Sequence, residues 1–236
     1  MFRKKWLLFM AALLVLTCCV AFFPCLQTIR DGEGWQWSAF NLKQIGVALH
    51  NYHDMYGRLP PAVKHGNDGQ PLYSWRVLLL PFLEQQNLFS QFNLDEPWDS
   101  SHNKPLLEKI PKCYMLWRGR KDVAGMTHYQ VFVGPGTAFE RDDFPDTLLV
   151  VEAAKPVPWT KPVDLVYVPD EPLPALGGLF QKPIHLWCYE IGRREGFNAC
   201  FVDGTVRFIP SDTDERTLRG LIARNDDKSA KGASPP

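Results

Sequence analysis

Apolar residues recur along residues 41–61 at Leu42, Ile45, Leu49, Tyr52 and Tyr56, three or four positions apart, so they line one face of a helix. Gly57 fits the position just past the helix end, and Pro60-Pro61 blocks any continuation. Upstream lies an uncharged run from Trp6 to Phe23, extended by Pro24, Cys25 and Leu26. About 20 apolar residues cross a bilayer core as a helix. The pattern therefore predicts one long helix that holds a membrane with its upper part and carries a folded domain on its lower part. Residues 62–73 read as a loop. Ser74 is a candidate cap for a short helix from Trp75 to Leu80, and Pro81 suits the first turn of another running to Gln91. A polar loop from Asp95 to Asn103 and a helical turn from Pro105 to Ile110 follow.

From Tyr114 onward the texture changes to short strand-like runs: Tyr129–Val133, Thr147–Glu152, Val163–Val168, Ile184–Glu190, Phe197–Val202 and Thr205–Ile209. The last two are joined by Asp203-Gly204, which fits a two-residue hairpin turn with positive φ at both positions. Ser211 to Asp214 offers a cap for a closing helix from Glu215 to Arg224. Strands without regular intervening helices predict an α+β fold, with an antiparallel sheet and short helices, rather than a parallel α/β sheet.

Composition changes this picture little. The chain has 236 residues, enough for an anchor plus one domain of about 150–200 residues. Lysine and arginine total 26, as do aspartate and glutamate, so no global field favours nucleic acid. Arg3, Lys4 and Lys5 precede the apolar run, which predicts a cytoplasmic N-terminus and an outward-facing domain. No small-x-small cleavage site follows Phe23, so the segment reads as uncleaved. The expected layout is a basic segment at 1–5, a transmembrane anchor at 6–26, a linker or interfacial segment at 27–40, an outward domain at 41–224 and a disordered tail at 225–236. The expected address is a single pass through the inner membrane.

The candidate chemistry is sparse. Asp95, Glu96, Asp99 and Asn103 offer the oxygen ligands calcium prefers, though without EF-hand spacing; a solvated loop over Trp98 is the alternative. His50, His53 and Asp54 suit either a metal or a polar helix face. Asp203-Gly204 and Gly57 read as structural. Cys188 and Cys200 would face each other if residues 185–190 and 197–202 formed a hairpin near Arg194, leaving Cys113 over; a cross-strand disulfide and buried free thiols are both open. Trp159, Trp187, Tyr167 and Phe180 line a groove or build the core. No glycine-rich phosphate loop, nucleophile elbow, Cys-x-x-Cys or His-Glu-x-x-His occurs.

Several blocks resemble one family. Asn41-Leu42-Lys43-Gln44-Ile45-Gly46, Leu49-His50-Asn51-Tyr52-His53-Asp54, Tyr56-Gly57 and Pro60-Pro61 begin the similarity. It continues through Ser74-Trp75-Arg76-Val77-Leu78-Leu79-Leu80-Pro81, Asp95-Glu96-Pro97-Trp98-Asp99-Ser100 and Val151-Glu152-Ala153. It closes on Gly196-Phe197-Asn198 and Asp203-Gly204-Thr205-Val206-Arg207-Phe208-Ile209. The family is the large domain family of unknown function expanded in planctomycete bacteria, whose members resemble type IV prepilins at the N-terminus. The resemblance implies a pilin-like fold and a role at the cell envelope, with no established catalysis. The chain departs twice: it lacks the family's Phe-Thr-Leu-x-Glu processing signal, and Arg193 stands where the family's C-terminal histidine falls. The expected function is a structural or interaction protein of the envelope, pseudopilin-like or scaffold, with envelope proteins as partners. The rival is an anchored domain that binds a solute, glycan or calcium.

Overall fold

The computed structural model describes residues 34–116, 124–140, 145–186 and 189–224. The first described element is helix α1, residues 34–56. Its inner face (Ser38, Asn41, Leu42, Ile45, Ala48, Leu49) is buried, and Gly57 ends it with φ +68° while its N–H donates to His53 O at 2.7 Å. The helix includes residues 34–40, which the sequence pattern assigns to a linker. Its outward side carries Lys43, Gln44, Asn51 and Asp54, so it is a helix with one face in a globular core rather than an apolar rod.

The anchor expected at 6–26 and the tail at 225–236 lie outside the described residues. Among the described residues no helix is long and apolar enough to cross a membrane. This finding overturns the continuous membrane-to-domain helix, and with it the pilin-like architecture and the single-pass inner-membrane address. What stands is an α+β domain built on an antiparallel sheet.

After α1 come an antiparallel ribbon, β1 (Val63–His65) with β2 (Pro71–Ser74), and helix α2 (Trp75–Leu78), whose cap Ser74 accepts from the Arg76 N–H at 3.3 Å. The helix expected from Pro81 to Gln91 is broken. A 3-10 turn spans Leu80–Leu83, Glu84 takes φ +58°, and α3 covers only Gln86–Phe89. A left-handed residue cannot continue a right-handed helix.

Strands β3 (Met126–Gln130), β4 (Phe132–Val133), β5 (Leu148–Pro158), β6 (Leu165–Val166), β7 (Gln181–Leu186), β8 (Tyr189–Phe201) and β9 (Val206–Pro210) follow, and α4 (Glu215–Ile222) closes the fold. The main sheet has the order β3-β5-β8-β7, with β9 also beside β8; all its pairings are antiparallel, while β4 and β6 form a short parallel pair. Alternation along β8 divides its residues between two faces. Phe197, Ala199 and Phe201 join Ile209, Tyr167 and Ile222 of α4 on one side, while Cys200 joins the core beneath α1 on the other. The sheet is thus covered on both faces.

Two expected turns differ. Residues 189–201 form one continuous strand, so no hairpin centres on Arg194; β8 instead pairs antiparallel with β7 from Leu186↔Tyr189 to Gln181↔Glu195. Segments 185–190 and 197–202 are therefore not partners. Cys200 is a buried free thiol, which removes the Cys188–Cys200 disulfide; Cys188 itself lies outside the described residues. At the other end of β8, Gly204 takes φ +76°, but Glu84 is the one non-glycine with positive φ among the described residues, so Asp203 has none. Gly204 N–H donates to Phe201 O, and Phe201 N–H to Thr205 O, each at 2.9 Å. This is a longer loop with a left-handed glycine at its end, a common hairpin solution, rather than the two-residue turn.

Candidate functional site

Among the described residues, two buried polar clusters link distant elements of the fold. In the first, Arg76 and Asp164 have fully buried side chains in contact at 2.6 Å. Arg76 also donates from Nε and Nη2 to Tyr129 O at 3.0 and 2.8 Å, and from Nη1 to Ser74 Oγ at 2.7 Å. Asp164 accepts further from Val131 N–H at 3.0 Å and from the Trp75 indole at 3.2 Å. Burial pushes the Asp164 carboxyl up; Arg76 and these donors pull against it. The cluster ties α2 to β3 and to the segment before β6.

In the second, the buried carboxylate of Glu152 on β5 accepts from Ser38 Oγ of α1, from Asn198 N–H at 2.8 Å and from Asn198 Nδ2 at 3.1 Å. Ser38 also bonds the Tyr129 hydroxyl at 2.9 Å, to which Asn41 Nδ2 donates at 3.2 Å. Desolvation raises the pKa of Glu152, and the Ser38 and Asn198 bonds oppose the rise. Burial also raises the Tyr129 phenol, as does the neighbouring Glu152. Neither of the two cavities described below is lined by any of these residues.

The two described thiols are also buried. Burial pushes Cys113 and Cys200 up to about 12, so almost no thiolate forms near neutrality.

The calcium candidates are not assembled. Asn103 is buried, and its Oδ1 accepts from Asn93 N–H at 2.9 Å while its Nδ2 donates to the carbonyls of Asn93, Glu96 and Pro97 at 2.9–3.1 Å. Glu96 Oε1 accepts from Asn93 Nδ2 at 2.7 Å. The asparagine oxygen needed for a cation is spent on locking the loop, and Asp95 and Asp99 are exposed outside it. Among the described residues no three His, Cys, Asp or Glu converge as a metal ion requires, His50, His53 and Asp54 included. His53 Nδ1 stands 3.9 Å from Asp54. Trp159 and Tyr167 are core residues; Trp187 lies outside the described residues.

Asp203 serves its loop. It accepts from Thr205 N–H at 2.8 Å and from Arg207 Nη2 at 2.7 Å; desolvation pushes its carboxyl up, but the Thr205 and Arg207 interactions together outweigh it and hold the carboxyl below the usual range. Lys43 Nζ of α1 donates to Gly204 O at 2.8 Å.

The surface is more informative. The outer face of α1 leaves Phe40 57%, Val47 47% and Met55 65% exposed. Trp37 lies beside Phe40, with ring centroids 6.5 Å apart. Next to this stripe is an open cavity of about 660 Å³ lined by residues that include Lys43, Gln44, Val47, Phe82, Glu84 and Lys112. The left-handed Glu84 stands in its wall. A smaller cavity of about 320 Å³ lies at Arg58, Pro60, Pro61 and Phe139. In the sequence the stripe is interleaved with the stronger buried periodicity at Leu42, Ile45 and Leu49, and only its own three- and four-residue spacing marks it.

Residues 38–136 match the model of a family described as a protein of unknown function (DUF1559). The match takes in α1 from Ser38 through to the turn after β4. Arg76 and Tyr129 therefore lie inside it, while Asp164, Glu152 and Asn198 lie beyond it. No curated protein and no solved structure matches the chain.

Proposed function

We propose that this chain is a non-catalytic interaction domain, a scaffold whose partner docks on the outer face of α1. One observation carries the reading: Phe40, Val47 and Met55 leave a large apolar stripe in water on the element that the rest of the domain is built around. Isolated exposed apolar residues need no explanation, but three on one helix face beside an open groove suit a docking surface. The two buried clusters are consistent with the same reading: Arg76 is spent on Asp164, and Glu152 on Ser38 and Asn198. The similarity blocks that run on beyond the matched residues, Val151-Glu152-Ala153 and Gly196-Phe197-Asn198, lead us to place the whole domain with the planctomycete-expanded group.

The test is a photo-crosslinking residue placed at Val47 in native cells, with the same residue at exposed Lys64 on β1 as control. A discrete adduct from position 47 that is absent at position 64 is expected. Equal labelling at both positions, or none at 47, refutes the reading.

A second reading rests on the cavity. Its volume of about 660 Å³ falls in the range of small-molecule sites, and its wall mixes Phe82 and Val47 with Lys112, Gln85 and Glu84. A solute bound there would raise the melting temperature in proportion to the logarithm of its concentration. A panel of solutes and glycans that leaves the melting temperature unmoved would remove it.

A further inference from the structure

The exposed stripe of α1 has a symmetry of its own. Its residues are Phe40, Gln44, Val47, Asn51 and Met55, which recur in steps of three and four and so share one face. Read from either end the order is apolar, amide, apolar, amide, apolar. Lys43 stands near one end and Asp54 near the other, and the angular advance of a helix puts both on the same flank of the stripe.

We propose that this face docks a second copy of the chain, the two α1 helices packing antiparallel about a two-fold axis near Val47. The inference rests on the interaction reading above and names its partner. In that arrangement Val47 meets its own counterpart on the axis, and Gln44 meets Asn51 of the other copy. Phe40 meets Met55, a sulfur–aromatic contact. A two-fold axis perpendicular to the helices brings like flanks together, so Lys43 of each copy faces Asp54 of the other. Parallel packing would instead put the two Lys43–Asp54 flanks on opposite sides of the seam, where they cannot pair. Lys43 uses one donor on Gly204 O at 2.8 Å, and an ammonium has three, so it can hold the turn and the partner's carboxylate together. Asp54 is well exposed, with His53 Nδ1 3.9 Å away.

One helix face is small against the roughly 1,200 Å² that stable complexes bury in total, so the dimer is expected to be weak and concentration-dependent. This is the strength of an assembly that forms where copies are concentrated.

The experiment uses the full chain in a neutral non-ionic detergent, because residues 6–23 are uncharged and largely apolar. Sedimentation over a hundredfold concentration range should show reversible dimers. Asp54→Lys should weaken dimerisation at least fivefold, and adding Lys43→Asp to the same chain should restore it. Oxidative cross-linking then reads the register, in a background with Cys18, Cys19, Cys25 and Cys188 changed to serine. Val47→Cys should cross-link alone. Phe40→Cys and Met55→Cys should each cross-link poorly alone and well when mixed. A chain that stays monomeric, a charge swap that fails to restore the dimer, or cross-linking indifferent to position overturns the proposal. A pure chain that is monomeric while Val47 in cells traps a different protein would refute the second copy and leave the interaction reading standing. No adduct in cells and no dimer in solution would remove both.

Discussion

At the scale of single residues the fold depends on charges that have been taken out of water. Arg76 satisfies Asp164, two carbonyl contacts on Tyr129 and Ser74 at once, and its guanidinium lies 4.7 Å from the Trp75 ring centre. Breaking one partner of a buried pair typically costs about 3–5 kcal/mol, because the other charge is left unpaired. Arg76→Met is expected to lose that much in urea denaturation, and Arg76→Lys to recover little, since an ammonium lacks the planar fork. A loss below about 1 kcal/mol would show that Asp164 finds water in place of the guanidinium. Glu152 makes a pH prediction. Its folded pKa is raised, so the folded state holds its proton more tightly than the unfolded chain. The group's contribution is fully present below the ordinary glutamate value of 4.5 and is lost as pH rises through the higher folded value. Denaturation across pH 4 to 8 should therefore show a fall in stability with rising pH that is smaller in Glu152→Gln; an identical slope in both proteins would assign the fall to other groups. Neither cluster was legible in the sequence. Arg76 and Asp164 lie on segments far apart in the chain, and no local spacing announces that a loop carboxylate will meet a helix arginine.

At the scale of elements, close approach decides how α1 sits on the sheet. A Cβ added at Gly46 would come 2.5 Å from Cys200 Sγ on β8, nearer than any real contact. Gly46→Ala must displace the Cys200 thiol or shift the helix against the strand, and overpacking of this kind costs about 1–3 kcal/mol. Cys200→Ala in the same chain should recover much of the loss by opening the space, a coupling that a double-mutant cycle measures directly. Simple additivity would mean that the helix shifts elsewhere instead. Elements were legible where the signal was local. The buried periodicity from Leu42 to Leu49, the Ser74 cap, and the Asp214 cap that accepts from Thr217 N–H at 2.9 Å all lie within a few residues of what they control. Elements were misread where distant packing decided. Residues 184–190 and 197–202 each alternate like separate strands, yet pairing with β7, β5 and β9 draws 189–201 into one. Pro81 did open a helical turn, but Glu84 turned left-handed and stopped it.

At the scale of the whole molecule, the two buried thiols report how the domain comes apart. Cys200 lies under α1 against the sheet, whereas Cys113 sits on a 3-10 turn (Lys112–Tyr114) in the wall of the 660 Å³ cavity. Both have pKa values pushed up to about 12, so at pH 8 the thiolate fraction is about a thousandfold below that of an exposed cysteine. Alkylation in the native state must then proceed through openings that bring each thiol to water. Cys113 needs only its turn to lift, but Cys200 needs α1 to leave the sheet. That step breaks the Ser38, Asn41, Glu152 and Asn198 network and exposes the core beneath. The expected order under iodoacetamide, read by peptide mass spectrometry, is Cys113 first and Cys200 only at the rate of global unfolding. Low urea should accelerate Cys200 more steeply, because its opening exposes more surface. Equal rates without denaturant would mean that α1 detaches as easily as the turn, and that the helix is a loose cover rather than the spine. A docking face needs the spine: a partner seated on Phe40, Val47 and Met55 would lose its surface each time α1 lifted. The slow reaction of Cys200 is therefore also a measure of how long the proposed interface can persist.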